Sequence, residues 1–176
     1  MTETRAAAAG LRPEAIHVRE GFRVMMRGFP TGVAVVTAVD EAGRPWGLTC
    51  SSVCSVALHP PTLLVCLRAK SPTLAAALAG GAFSVNLLHE QAQAVAELFA
   101  SGRPDRFDIV RWHQDPDAGG PHLADCVHAV ADCRITTTIA AADHIVVIGE
   151  VSRVLRPQAE LPLLYGFGGY RSWPRA

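Results

Sequence analysis

Apolar and polar positions alternate in short runs along most of this chain, and only a few segments carry helical spacing. Residues 32–40 (GVAVVTAVD) read as a strand, and residues 41–44 as a hairpin turn leading into Trp46. Residues 53–58 and 62–67 are the next two strands, separated by Pro60-Pro61, which cannot donate to a ladder. Residues 82–88 form another strand, and residues 127–140 and 145–155 are two long β runs joined by residues 141–144. Helical spacing is found in residues 13–27, where Ile16, Val18, Phe22, Val24, Met25 and Met26 make an apolar side. Pro13 fits its first turn, and Gly28 and Pro30 end it. Ser71-Pro72 is an N-cap with proline at the first helical position, opening an alanine-rich helix that Gly80-Gly81 stops. Residues 90–99 make a further helix, residues 101–121 read as loop, and residues 163–173 as a short Gly-rich end.

Short strands joined by turns, with few crossover helices, predict a mainly β chain with peripheral helices, a closed or nearly closed antiparallel barrel. A doubly wound parallel sheet is disfavoured, and no GxGxxG is present. No internal repeat or linker divides the chain. Residues 1–12 read as a frayed tail and residues 13–176 as one domain.

Composition adds three constraints. Apolar residues make up 49% and charged residues 18%, an apolar surplus that suits a buried subunit interface or a large cofactor pocket. Lys plus Arg and Asp plus Glu are 16 each, so nothing favours nucleic acid or an anionic membrane. Apolar runs stop well short of the ~18 residues of a membrane helix, and the N-terminal segment has no signal-peptide h-region. Five cysteines without a CxxC fit a reducing, cytoplasmic setting.

The densest chemistry lies in residues 46–67, WGLTCSSVCSVALHPPTLLVCL. Thr49, Cys50, Ser51 and Ser52 are framed by apolar sequence. An unpartnered buried hydroxyl costs roughly 2–7 kcal/mol, so a polar ligand in a mostly apolar pocket is one way to satisfy this group. Cys50 reads as a small packing residue, with no second cysteine placed to resolve a disulfide. His122, Asp125, Cys126, His128, Asp132 and Cys133 cluster in sequence, but their spacing fits no zinc pattern, and alternation from Val127 onward puts them on different faces. No metal site is expected.

Taken together, FRVMMRGFPTGVAVVTA (residues 22–38), residues 47–67, KSPT (70–73), FSVNLL (83–88), Arg106-Phe107, DHIVVIGEV (143–151) and PLLYGFGGYR (162–171) resemble the short-chain flavin reductases. Those are the small reductase components of two-component flavin-dependent monooxygenases. The segments occur in the family's order and span nearly the whole chain. The resemblance implies a split β-barrel of Greek-key, FMN-binding type, built as a homodimer with flavin near the subunit interface. It implies NAD(P)H:flavin oxidoreductase activity with FMN or FAD, the reduced flavin passing to a separate oxygenase or halogenase.

The resemblance also assigns residues. Thr49, Ser51, Ser52, Arg68, Lys70 and Ser71 would cradle the flavin phosphate, with hydroxyls, cations and a helix N-terminus suiting a dianion. Thr31 and Gly32 would let backbone approach the ring edge, and Cys50 would lie near the ring. Arg106-Phe107 would shape the pocket, and Tyr170-Arg171 would lie near it. His144 would handle the nicotinamide, although Ala142 stands where the family more often has glycine. A non-enzymatic flavin carrier, or a barrel that has lost its flavin, are the other readings of the same residues.

Overall fold

The computed structural model describes residues 15–156 and 160–174. The expected tail and Pro13 lie outside the described residues. In chain order the elements are α1 (Ala15–Arg27), β1 (Thr31–Gly32), β2 (Ala34–Val39), β3 (Pro45–Cys50), β4 (Val53–Leu58), β5 (Pro61–Arg68), α2 (Pro72–Gly80) and β6 (Ala82–Leu88). There follow α3 (Gln93–Ala100), α4 (Arg106–Ile109), β7 (Trp112–His113), β8 (His122–Leu123), β9 (Val127–Ala141), β10 (His144–Leu155), β11 (Leu163–Gly166) and β12 (Gly169–Ser172).

Seven strands form one antiparallel sheet in the order β3-β2-β6-β9-β10-β5-β4. Its two outer strands are neighbours in sequence, separated only by Ser51 and Ser52. The sheet must therefore curl until its edges meet at that corner, where the Cys66 N–H on β5 donates to the Ser52 carbonyl at 3.1 Å. The ladders do not close, so the expected barrel resolves into a curled, open sheet. A three-stranded sheet, β1-β11-β12, brings the two ends of the domain together.

Strand β2 is buried on both faces, which explains its continuous apolar run. Ala34, Val36 and Ala38 point into the curl with Val65, Leu67, Phe83, Val147 and the α2 residues Leu74 and Ala77. Val33 and Val35 point outward, beneath Ala96 and Phe99 of α3 and Phe107 of α4. Each fully buried Val, Leu or Phe side chain among them is worth about 1.5–3 kcal/mol.

The segment expected as plain loop, residues 101–121, is ordered by polar groups distant in sequence. Thr37 Oγ1 donates to the Pro121 carbonyl at 2.7 Å, and Ser84 Oγ lies 3.0 Å from the Gly120 carbonyl. Buried Asn86 accepts from the Leu123 N–H at 2.9 Å and donates to the Pro121 carbonyl at 3.2 Å. Gly119 and Gly120 press directly on the β6 and β2 backbones; a Cβ at either would collide with Phe83 or Thr37 main-chain atoms. Below them Asp132 on β9 accepts from Ser84 Oγ (2.6 Å), His122 Nε2 (2.8 Å), Arg153 Nε (2.8 Å) and the Gly119 N–H (3.3 Å). Burial alone would raise its pKa, but bonds from His122, Ser84 and Arg153 outweigh that and hold it at about 2.

Helix α1 has the expected amphipathic sequence, but its apolar residues Val18, Phe22, Val24 and Met25 are exposed in the single chain. None of the helices is long and apolar enough to cross a membrane, among the described residues.

Candidate functional site

The β3–β4 corner opens a cleft of about 970 Å³ between the curled sheet, the N-terminus of α2 and the α3–α4 segment. It is lined by Thr49, Cys50, Ser51, Ser52, Arg68, Lys70, Ser71, Arg106, Phe107 and His144, so ten expected site residues from four separate segments converge. The convergence follows from topology. β5 delivers Arg68 at its C-terminal end, directly opposite His144 at the start of β10. A tight turn, closed by Ser71 N–H to Arg68 carbonyl at 2.9 Å, then starts α2.

The lining is cationic. Arg44, Arg68, Lys70 and Arg106 face a single carboxylate, Asp108. Ser71 stands at the N-cap position, yet its hydroxyl makes no capping bond. The first N–H groups of α2 and this hydroxyl are thus left for an anion. Arg106 is 9% exposed. One of its terminal nitrogens donates to the Arg103 carbonyl at 2.7 Å, while Nε is buried without a partner among the described residues. Burial lowers the guanidinium's affinity for its proton. An unpaired buried donor of this kind fits a phosphate oxygen.

Other lining residues have different tasks. Thr49 Oγ1 donates to the Ala96 carbonyl at 2.6 Å, tying β3 to α3, so its hydroxyl is not free for a ligand as expected. Burial pushes the Cys50 thiol up to about 11. It stays protonated at neutral pH and packs, in accord with the sequence reading. Gly47 lets Phe99 and Phe107 close against β3; a Cβ there would lie 3.0 Å from each ring. The two rings meet edge to face at 5.1 Å and form the apolar wall.

His144 ends a tight hairpin. Strands β9 and β10 run one residue further at each side than the sequence suggests, leaving only Ala142 and Asp143 between them. Asp143 Oδ1 lies 2.7 Å from His144 Nδ1, which lowers the aspartate's pKa and fixes the ring. Ala142 sits at φ 53°, the left-handed region that primed two-residue turns require. This is the physical reason glycine suits the position. Ala142→Gly should raise stability by up to about 1 kcal/mol, the left-handed penalty less the extra freedom glycine has when unfolded. A thermal melt checks it; a lowered Tm would contradict the turn geometry.

Four expected residues are not brought into this cleft. Thr31 and Gly32 line an adjacent cavity of about 320 Å³ that also reaches Ser51. A Cβ on Gly32 would meet nothing within 4 Å, so its face is open to that cavity. Tyr170 and Arg171 lie on β12. Tyr170 packs on Tyr165 at 5.1 Å and on the outer core, and Arg171 donates to the Tyr170 carbonyl at 2.7 Å. Sequence reasoning missed Arg44, Trp46 and Phe99 on the cleft wall. The signal lay in the preceding turn, where Asp40 accepts from Arg44 Nε (2.8 Å) and Trp46 Nε1 (3.1 Å) and so fixes both side chains.

A curled antiparallel sheet with a cationic cleft, walled on one side by aromatic rings, suits a ligand that is phosphorylated at one end and aromatic at the other. Comparison with known proteins narrows the class. Residues 26–174 match the flavin reductase like domain. The chain is 48% identical over 162 residues to a flavin reductase (NADPH) of Lentzea aerocolonigenes, covering 92% of this chain and 94% of that one. It is 36% identical over 157 residues to the reductase subunit HsaB of a flavin-dependent monooxygenase from Rhodococcus jostii, covering 89% and 78%. The fold superimposes with a TM-score of 0.82 and 31% identity on the NADH:FAD oxidoreductase SgcE6 of Streptomyces globisporus, solved in complex with NAD and FAD fragments, covering 89% and 93%. The chain belongs to the flavin reductase family.

Proposed function

We propose that this protein is an NAD(P)H:flavin oxidoreductase that reduces FMN or FAD and releases the reduced flavin to a separate monooxygenase or halogenase. The observation that carries the reading is the convergence of Ser71, Arg68, Lys70 and the unpaired Arg106 Nε on one cleft, beside an apolar aromatic wall and His144. The donors fit a phosphate and the wall fits a flat ring. When both nucleotides are bound, the chemistry they supply is hydride transfer from nicotinamide C4 to flavin N5.

The protein's part is positioning. Arg68, Lys70, Arg106 and the α2 N-terminus hold the anionic end. Ser51 and Ser52 supply hydroxyls at the β3–β4 corner, and Phe99 and Phe107 exclude water from the ring's side. His144, held by Asp143, orients the nicotinamide. No nucleophile or acid–base pair is needed. The wide, open cleft suits a flavin that must leave. The exposed apolar side of α1 supports assembly as a homodimer, in which Thr31, Gly32, Tyr170 and Arg171 would complete the flavin environment from the smaller cavity and β12. We also read residues 13–176 as a single domain working in the cytoplasm.

His144→Ala tests the assignment of roles. The expected result is a higher KM for NAD(P)H or a lower kcat, with flavin affinity unchanged. Unaltered steady-state kinetics would remove His144 from the site.

A further inference from the structure

Beyond the cofactor cleft, three metal-ligating side chains converge where β7 and β8 pair. His113 and His122 are cross-strand partners, their rings edge to face with centroids 5.3 Å apart. Asp115 reaches between them, with Oδ1 3.5 Å from His113 Nε2 and Oδ2 3.9 Å from His122 Nδ1. One ligand atom from each residue lies within 4.8 Å of the other two.

His122 is the decisive residue, because its side chain is only 1% exposed. Its Nε2 lies 2.8 Å from Asp132 Oδ1, an oxygen already facing Ser84 Oγ at 2.6 Å, on a carboxylate whose Oδ2 accepts from Arg153, so Asp132 is the acceptor here. Nε2 therefore carries a hydrogen, and the neutral form of the ring has its lone pair at Nδ1. That atom is buried and has no hydrogen-bond partner among the described residues. Oδ2 of the Asp115 carboxylate lies 3.9 Å from it. His122 Nδ1 is thus an unmet acceptor beside Asp115, whose Oδ2 takes Arg153 and whose Oδ1 faces His113.

We propose that His113, Asp115 and His122 form a site for a divalent transition-metal cation of the zinc class, with Asp132 orienting His122 from behind. Two imidazoles and a carboxylate are a donor set that zinc accepts. A tetrahedral ion with bonds of roughly 2.0–2.2 Å needs ligand atoms roughly 3.3–3.6 Å apart, and the His113–Asp115 edge already has that length. The carboxylate–histidine pair made by Asp132 and His122 is the usual support of a metal-bound imidazole. Arg153 donates to Oδ2 of Asp115 (2.9 Å) and of Asp132 (2.8 Å), which leaves Asp115 Oδ1 turned to His113. Its positive charge opposes the ion, and His113 is largely exposed, so the fourth position is open to water and the ion exchanges. A bound cation would staple the β7–β8 segment to β9, just beyond the α4 turn that carries Arg106 and Phe107.

The test uses the full-length protein, freed of metal by chelator and of any affinity tag, titrated with Co²⁺ and then Zn²⁺. One Co²⁺ per chain with visible absorption of tetrahedral type, displaced by Zn²⁺, is expected. His113→Ala and Asp115→Asn should each weaken binding at least about tenfold. Metal-free NAD(P)H oxidation by His113→Ala should equal that of the metal-free parent. A Cys54→Ser control should bind like the parent. No stoichiometric binding, or binding unchanged in both site variants, would overturn the proposal.

Discussion

Replacing Asp132 with alanine is expected to be the most destabilising single change in the outer half of the fold, costing about 3–5 kcal/mol. The carboxylate is 2% exposed and serves Ser84, His122, Arg153 and the Gly119 N–H together. Its loss leaves the half-buried Arg153 guanidinium with Asp115 alone, strands a buried imidazole, and loosens the segment that Gly119 and Gly120 press onto β2 and β6. The same geometry sets a pH dependence. The carboxyl titrates at about 2 when folded against an ordinary value of 3.8. Its contribution is therefore complete above about pH 4 and is lost as pH falls towards 2, an amount on the order of 2 kcal/mol. Asp132→Ala should show a correspondingly flatter fall in stability across that window. Equal Tm values for parent and variant at pH 7 would contradict the network.

The second large effect falls on ligand binding. Arg106→Ala should raise the KM for flavin about 10- to 100-fold, matching the loss of one or two charge-assisted bonds of about 1.5–3 kcal/mol. The side chain is already desolvated and its Nε already lacks a partner. The cost of burying it is met in the free protein, and a phosphate gains the full interaction. The KM for NAD(P)H should move less. An unchanged flavin KM would show that Arg106 serves only to anchor Arg103 and the α4 turn.

Much of this was legible in the sequence because period-two alternation and strong punctuation agree locally. Ser71-Pro72 and Gly80-Gly81 bracket α2 as expected, with Gly81 at φ 66°. Strands β2 to β6 and the long β9–β10 hairpin follow their apolar patterns to within a residue or two. What stayed hidden depends on contacts between distant segments. β1 is two residues long and pairs with β11 more than a hundred residues away, so no local pattern marks it. β7 and β8 are ordered by Asn86 and Asp132, which look like stray polar residues within apolar strands.

The candidate site shows the same division. Segments carrying Ser51, Arg68, Ser71 and His144 could be named from their order along the chain, and the curled topology brings them together. The use of each side chain could not. Thr49 has the right composition for a phosphate cradle, yet its hydroxyl is taken by α3. His122 and Asp132 were expected on different faces by alternation along one strand. They meet because His122 belongs to β8, which lies across the outer face of the sheet.

The central claim is that this cleft passes hydride from a reduced nicotinamide to a flavin. The most direct measurement is anaerobic mixing of the protein with NADH or NADPH and FMN or FAD, following the loss of the oxidised flavin's visible absorption. Bleaching at a rate proportional to protein concentration is expected with at least one of the four pairings. Rates no faster than the protein-free mixtures in all four would contradict it.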